Sequence, residues 1–251
     1  MTGSEELRGR TVLVSGGSSG LGRATALAVA QAGADVAVLA RGSDELQETA
    51  EQVRGCGVRA SAVVVDLADS GAVESAVAQV HAELGGVDVL VNAAGTDAPG
   101  PVVELAVADW DRVLAVNLRA TYLLAKAVWP DMVQRGGGTI VNVSSVAGRR
   151  GWAGAAAYCA AKFGLTGLTQ ALAAEGRPHR IRACVLYPGA MDTSWGLWTP
   201  EERSGDGAPT VPADALAPEQ VARLITWIAA APPDLVLNEV TVTPLLEQGW
   251  P

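Results

Sequence analysis

The glycine-rich segment Ser15-Gly16-Gly17-Ser18-Ser19-Gly20-Leu21-Gly22 joins an apolar run, residues 11–15, to an alanine-rich run, residues 21–32. The apolar run predicts a buried strand, and the alanine-rich run predicts a helix that stops at Gly33. Glycines at such a junction allow a tight turn and let a pyrophosphate approach the backbone. The free N–H groups at the start of the helix attract phosphate. We therefore expect a dinucleotide-binding turn here; a tight turn without a ligand is the alternative.

Strand and helix patterns alternate along the rest of the chain. The apolar runs are nearly continuous, which is typical of parallel strands covered by helices on both faces. We predict strands at residues 11–15, 35–40, 59–65, 87–91, 139–143, 181–186 and 239–242, and helices at residues 21–32, 44–54, 71–84, 109–134, 156–175 and 218–230. This order predicts one α/β domain over residues 1–251, a Rossmann fold with a doubly wound seven-stranded parallel sheet.

The composition excludes several classes of partner. The formal net charge of -9 disfavours nucleic acid, because an acidic surface repels phosphate backbones. Three widely spaced cysteines and two isolated histidines, His81 and His179, predict neither a disulfide framework nor a metal site. The first ten residues lack the apolar core of a signal peptide, and no run approaches the roughly 20 apolar residues that span a bilayer. We expect a cytoplasmic protein with no membrane partner.

The glycine spacing resembles the Thr-Gly-x-x-x-Gly-x-Gly pattern of the short-chain dehydrogenase/reductase family, with Ser15 in place of threonine. Further segments resemble that family in order and spacing: Asp66-Leu67, then Asn92-Ala93-Ala94-Gly95, then Pro188-Gly189-Ala190-Met191-Asp192-Thr193. The resemblance implies that a nicotinamide dinucleotide is bound by residues Gly16, Ser18, Ser19, Gly20, Leu21, Gly22, Asp66, Leu67, Asn92, Ala93, Gly95, Tyr158, Lys162, Pro188, Gly189, Met191 and Thr193.

The end of the second predicted strand bears on the choice of cofactor. The sequence there reads Leu39-Ala40-Arg41-Gly42-Ser43, with no acidic residue to hold a ribose 2′-hydroxyl group. Arg41 is placed to bind a 2′-phosphate instead. We therefore favour NADP(H), as in an NADP-preferring subgroup of the family. NAD(H) is the alternative, in which Arg41 is a solvated loop charge.

Two tyrosine–lysine pairs have the same helical spacing, Tyr158 with Lys162 and Tyr122 with Lys126. Residues four apart share one face of a helix, so the ammonium group lies near the phenol. A nearby positive charge favours phenolate, and we expect Lys162 to lower the pKa of Tyr158. Only Tyr158 has a serine, Ser145, at the family's upstream offset of 13 residues. We therefore predict a structural role for Tyr122 and Lys126.

The resemblance implies a catalytic set of Asn117, Ser145, Tyr158 and Lys162. In it, Ser145 binds the substrate carbonyl, Tyr158 is the general acid/base, Lys162 also binds the nicotinamide ribose, and Asn117 links the lysine to solvent. From the residues alone, Asn117 is a poor mid-helix residue, with a buried structural asparagine as the alternative. Ser144, the other serine at this strand end, is expected to cap a turn.

The sequence says less about the substrate than about the cofactor and the catalytic residues. We expect a lid at about residues 190–212 over an aliphatic or cyclic ketone or alcohol, with internal or intersubunit packing of its tryptophans as the alternative. The candidate substrate-binding residues are Thr96, Ser145, Ala147, Trp152, Trp195 and Trp198, and Asp97 could also line the pocket. The family is usually tetrameric, so a homotetramer is expected. The rival functions are a catalytically silent nucleotide-binding sensor on the same fold and another Rossmann-type enzyme such as a methyltransferase.

Overall fold

A computed structural model describes residues 6–193 and 214–247. Its strands are β1 (Thr11–Ser15), β2 (Asp35–Ala40), β3 (Ala60–Val64), β4 (Val89–Asn92), β5 (Gly138–Val143), β6 (Ile181–Pro188) and β7 (Glu239–Val242). The helices are α1 (Gly20–Gln31), α2 (Ser43–Gly55), α3 (Ser70–Leu84), α4 (Val107–Leu114), α5 (Ala120–Gln134), α6 (Ala156–Gly176) and α7 (Pro218–Ala230). None of the described helices combines the length and apolar character needed to cross a bilayer.

All seven strands form one parallel sheet in the order β3-β2-β1-β4-β5-β6-β7. The predicted doubly wound α/β fold is therefore confirmed. The strand order reverses between β1 and β4, so the crossovers that follow these two strands run to opposite faces of the sheet. The crevice at the carboxyl ends of the strands at such a point is where open α/β sheets bind ligands.

The two faces of the sheet bury separate apolar clusters. Val12 and Val14 of β1 pack with α1, α2 and α7, whereas Leu13 between them packs with α3 and α5. Alternate residues of one strand therefore serve opposite layers, which explains why the strands are apolar throughout. Burial on both faces fixes the register, because a slip of one residue would exchange every side chain between the layers.

The long predicted helix at residues 109–134 begins earlier and is interrupted. It starts at Val107, and a π-helical segment from Ala115 to Arg119 separates α4 from α5. Pro130 lies within α5. A π-turn loosens the backbone ladder and is frequent at functional sites. This one contains Asn117, the asparagine that fits poorly inside a regular helix.

Candidate active site

The glycine turn is fixed to the ends of neighbouring strands. Gly16 and Gly17 both donate backbone hydrogen bonds to the carbonyl oxygen of Leu39, at 2.8 and 3.2 Å. Gly16 has a φ of 75°, and a Cβ there would lie 2.8 Å from the backbone of Ala94. A Cβ on Gly22 would overlap the carbonyl oxygen of Gly16. Glycine is therefore required at both positions for backbone to pack on backbone.

The start of α1 has the features of a phosphate site. Ser19 is its N-cap residue, yet its side chain makes no capping hydrogen bond. The first N–H groups of the helix therefore lack the side-chain acceptor that a capped helix supplies, and a phosphate can accept from them. A Cβ on Gly20 would lie 3.4 Å from the side chain of Thr193. The predicted phosphate and nicotinamide segments are thus adjacent, and the residues present fit a dinucleotide bound across them.

The predicted adenine-end residues lie where the strands of the outer edge stop. Arg41 directly follows β2 and is exposed, and Asp66 lies two residues beyond β3 and is also exposed. The carboxylate of Asp66 accepts a hydrogen bond from the Ala68 N–H at 2.9 Å. Leu67 is buried in the core, at 5 % exposure. The side chains of Arg41 and Asp66 can therefore reach a ligand, whereas that of Leu67 is used in packing.

Asn92 lies inside the sheet. Its Nδ2 donates to Oδ1 of Asn142 at 2.8 Å, and Nδ2 of Asn142 donates to the hydroxyl of Thr169 at 2.9 Å. This chain of buried hydrogen bonds ties β4 and β5 to α6. The side chain of Asn92 is thus committed to the protein core. The following segment is held by Ser15, whose hydroxyl accepts from the Ala94 N–H at 3.3 Å, so Ala93 and Gly95 present their backbone at the end of β4.

The predicted nicotinamide segment after β6 is fixed from several sides. Gly189 donates to the carbonyl oxygen of Val242 at 2.8 Å, and Met191 forms a parallel bridge with Leu216. The carboxylate of Glu247 accepts from the Ala190 N–H at 3.1 Å and lies where a Cβ of Gly189 would be. Glu247 is not among the residues predicted from the sequence to form the site. Nothing in a tail sequence indicates that its carboxylate returns to this turn.

Tyr158, Lys162 and Ser145 meet at the carboxyl end of β5. Tyr158 is 6 % exposed, and its phenol is hydrogen-bonded to the side chain of Ser145. The Nζ of Lys162 lies 5.5 Å from the centre of the Tyr158 ring and donates to the carbonyl oxygen of Val143 at 2.8 Å. The helical spacing does bring the amine and the phenol to one face of α6.

The two adjacent serines have different surroundings. Ser144 donates to the carbonyl oxygen of Lys162 at 3.2 Å, and so ties the strand end to α6. Ser145 accepts from the Ala147 N–H at 3.1 Å and pairs with Tyr158. Ala147 is fully buried against Tyr158 and Cys159, whereas Trp152 is about half exposed, at 49 %. Only Ser145 therefore presents its hydroxyl to the tyrosine.

Asn117 holds the loop that follows β4. Its Nδ2 donates to the carbonyl oxygen of Thr96, and its Oδ1 accepts from the N–H of the same residue, both at 2.8 Å. The hydroxyl of Thr96 accepts from Nη1 of Arg112 at 2.6 Å. Every polar group of Thr96 is thus engaged within the protein. Arg112 was not singled out from the sequence, where a surface helix arginine carries no such signal.

The prediction that Lys162 lowers the pKa of Tyr158 is wrong for the protein without a bound cofactor. Burial raises the pKa of the phenol above its ordinary value of 10.0; the hydrogen bond with Ser145 opposes this rise, and the negative charge of Asp97 adds to it. Burial also lowers the pKa of Lys162 to about 8, which Asp97 opposes. The ammonium group is directed to the Val143 carbonyl and is itself desolvated, so it does little to stabilise a buried phenolate.

The depressed pKa of Lys162 makes stability depend on pH. Folded Lys162 releases its proton near pH 8, whereas the unfolded chain keeps that proton up to about pH 10.5. Between these values the unfolded state binds more protons, so this contribution to stability rises with pH. Relative to Lys162→Met, the wild type should gain up to about 3 kcal/mol of unfolding free energy from pH 8 to pH 10.5. Urea titrations of both proteins measure this gain, and a constant difference would contradict it.

The second tyrosine–lysine pair is far less buried. Tyr122 is 47 % exposed and lines a groove between the π-segment and α6. The groove is formed by Asp111, Leu114, Ala115, Leu118, Arg119, Tyr122, Gly164 and Leu168. Within the described residues, this pair has no strand-end serine beside it.

The predicted tryptophans Trp195 and Trp198, and most of the predicted lid, lie outside the described residues.

The strand order reverses beside an uncapped helix N-terminus, and a buried tyrosine and lysine lie there with a partly buried serine. These features together are those of a dinucleotide-dependent oxidoreductase. The family model for short chain dehydrogenases matches residues 10–202. The chain therefore belongs to the short-chain dehydrogenase family, as its motifs predicted, and is an NAD(P)-dependent oxidoreductase acting on CH–OH and C=O groups.

Individual relatives agree with this assignment. The chain is 35 % identical over 226 residues to a D-threitol dehydrogenase of Mycolicibacterium smegmatis, covering 89 % of this chain and 87 % of the relative. A metagenomic short-chain oxidoreductase solved in complex with NADP superposes with a TM-score of 0.82, at 32 % identity, over 96 % of this chain and 100 % of that one. Carveol dehydrogenase from Mycobacterium avium, solved with NAD, gives a TM-score of 0.87 at 26 % identity, over 95 % of this chain and 98 % of that one.

Proposed function

We propose that this chain is an NADP(H)-linked ketoreductase that interconverts a ketone and a secondary alcohol, with Tyr158 as general acid/base. The observation that carries the proposal is the buried hydrogen bond between Tyr158 and Ser145, with the amine of Lys162 beside it on α6. A sensor without turnover would not need a phenol, an amine and a hydroxyl to converge at the strand ends. The bound nicotinamide supplies or accepts the hydride.

The protein side chains then have distinct tasks. Ser145 donates a hydrogen bond to the substrate oxygen, and Tyr158 delivers a proton to that oxygen during reduction. Lys162 supplies positive charge and binds the ribose hydroxyls of the cofactor. Asn117 holds the loop beside the site and supports the return of protons from solvent. The positive charge of an oxidised nicotinamide would favour the ionised phenol that alcohol oxidation needs.

The preference for NADP(H) rests on Arg41. Its guanidinium follows β2, at the sheet edge where the adenosine ribose is expected, and no carboxylate stands in its place. One of the structural neighbours was solved with NADP and another with NAD, so the neighbours are compatible with either cofactor. The other proposed contacts to the cofactor come from the glycine turn, from Asp66, from the loop after β4 and from the turn after β6.

Removing the charge of Arg41 tests this preference. A charge-assisted hydrogen bond to phosphate is worth roughly 1.5–3 kcal/mol, or about 10- to 100-fold in affinity. We therefore expect Arg41→Ala to raise the KM for NADPH by about that factor, with the KM for NADH nearly unchanged. Steady-state kinetics with both cofactors measure the ratio.

Arg177→Ala is the matched control. It removes an equally exposed arginine at the entrance to β6, on the opposite end of the strands, and it should change neither KM. Equal losses with NADPH and NADH in Arg41→Ala would make Arg41 a general contributor to binding and would reject the proposed selectivity.

The reaction itself is tested by cofactor oxidation. The purified chain is mixed with NADPH, or with NADH, and a panel of aliphatic and cyclic ketones, and absorbance of the reduced cofactor is followed. Turnover of at least one ketone is expected, and alcohols such as D-threitol are tested in reverse because one relative is named for it. Full saturable binding of NADPH with no turnover of any carbonyl or alcohol would favour the silent sensor.

We also propose a quaternary structure and a cellular location for the protein. The groove beside Tyr122 and the exposed ring of Phe163, at 46 %, give the helical face of α5 and α6 an apolar surface that suits packing against other copies in a homotetramer. The three cysteines are free, which suits a cytoplasmic location. A single domain over residues 1–251, a lid near residues 190–212 and contacts to substrate from Thr96, Trp152, Trp195 and Trp198 complete the proposal. The predicted contact from Ala147 is wrong, because that residue is fully buried.

A further inference from the structure

Asp97 lies in the loop after β4, and one of its carboxylate oxygens has no hydrogen-bond partner among the described residues. Its Oδ1 accepts a hydrogen bond from the Ala98 N–H at 2.7 Å. Its Oδ2 is buried, and no described residue donates to it. A buried carboxylate oxygen without a donor is unfavourable, because the loss of water is not compensated. A water molecule or a ligand that donates a hydrogen bond to Oδ2 would remove this cost.

The backbone around Asp97 is held rigidly. Asn117 binds both the N–H and the carbonyl oxygen of the preceding residue, Thr96. Nη2 of Arg112 donates to the carbonyl oxygen of Asp97 at 3.1 Å. Two side chains from the interrupted helix therefore fix this loop, and the carboxylate cannot easily turn towards solvent. The unpartnered oxygen is preorganised to accept a hydrogen bond.

The carboxylate of Asp97 lies close enough to the catalytic side chains for its charge to act on them. It interacts electrostatically with Tyr158 and with Lys162, the two groups at the chemical step. Burial raises the pKa of Asp97, while the hydrogen bond from Ala98 and the charges of Arg112 and Lys162 oppose that rise. Two cations therefore already face this carboxylate. Their charges offset that of Asp97, so a further ammonium group would gain little from it, whereas a substrate carboxylate has no proton to donate to Oδ2.

We propose that Oδ2 of Asp97 accepts a hydrogen bond from a hydroxyl group that the substrate carries close to the reacting carbon. A neutral hydroxyl group donates to the carboxylate without bringing a further charge into the pocket. The preferred substrates are then hydroxyketones and the corresponding polyols, not simple ketones or carboxylates. This inference rests on the proposed ketoreductase function and assigns its substrate class.

A matched pair of ketones tests the inference. The value of kcat/KM is measured for α-hydroxycyclohexanone and for cyclohexanone, with the wild type, Asp97→Asn and Asp97→Leu. The ratio of the two values in Asp97→Leu corrects for the different intrinsic reactivity of the carbonyl groups. We expect the wild-type ratio to exceed the Asp97→Leu ratio by at least about tenfold, with Asp97→Asn between them.

The control and the readouts separate the outcomes. Asp109→Asn removes an exposed carboxylate that contacts the same Arg112 at 3.5 Å, and it should leave the ratio unchanged. NADPH titration and thermal melting verify that each variant is folded. Equal ratios in the wild type and both Asp97 variants would overturn the inference while leaving the ketoreductase proposal standing. Absence of turnover with every ketone and alcohol would reject the proposed function itself, and Asp97 would then have no substrate to recognise.

Discussion

Replacing Tyr158 by phenylalanine should lower kcat by about 10³-fold without weakening cofactor binding. General acid–base catalysis contributes roughly 10²–10⁴ to enzymatic rates, and the substitution removes only the proton donor. The phenylalanine ring retains the packing of the buried tyrosine against Ala147 and Cys159. Single-turnover reduction of a ketone gives the rate, and NADPH fluorescence titration gives the affinity.

The chain supplies its own control for this experiment. Tyr122 has the same spacing to a lysine, so Tyr122→Phe makes the identical chemical change in a second tyrosine–lysine pair. Its ring is 47 % exposed and lies away from Ser145. We expect Tyr122→Phe to retain wild-type kcat. If the Tyr158 variant retains it as well, Tyr158 is not the acid.

The Gly22→Ala substitution should disrupt the cofactor site and destabilise the fold. The new Cβ would overlap the carbonyl oxygen of Gly16, and backbone cannot yield as a flexible side chain does. Overpacking of this kind costs about 1–3 kcal/mol, and any displacement of the turn moves the N–H groups that bind phosphate. We expect a lower free energy of unfolding in urea and at least about tenfold weaker NADPH binding.

Gly55→Ala is the comparison for the glycine experiment. Gly55 is the last residue of α2, and a Cβ there would meet no atom within 4 Å. Alanine favours a helix over glycine by up to about 1 kcal/mol, so this variant should be as stable as the wild type or slightly more stable. Wild-type NADPH affinity in Gly22→Ala would show that the turn does not approach the pyrophosphate.

The sequence predicted the sheet because most strands are nearly continuous apolar runs, and such runs are interpretable without tertiary information. It also separated Ser145 from Ser144 and Tyr158 from Tyr122, because the family offset selects one member of each pair. The contacts in the structure agree with the first choice: Ser145 pairs with Tyr158, while Ser144 binds the backbone of Lys162. Their catalytic roles stay predictions until the variants are measured.

Other features depend on contacts between distant segments and left no local signal. The helical pattern of the sequence continues from Val107 to Gln134, so it gives no sign of the π-helical segment around Asn117. The bond between Arg112 and the loop at Thr96, and the approach of Glu247 to Ala190, join parts of the chain that no pattern connects. The pKa of Tyr158 was mispredicted because helical spacing gives proximity to an amine but not the degree of burial.

The placement of β2 and β3 at one edge of the sheet has an evolutionary consequence. Arg41 and Asp66 follow these two edge strands, whereas Ser145 and Lys162 lie at the end of β5 and on the helix beside it. In the described part of the chain, no hydrogen bond connects the first pair with the second. Mutations at the positions proposed to select the coenzyme can therefore accumulate without disturbing the proposed proton transfer. Lineages with this architecture can switch between metabolic pools of reducing equivalents while conserving the reaction they catalyse.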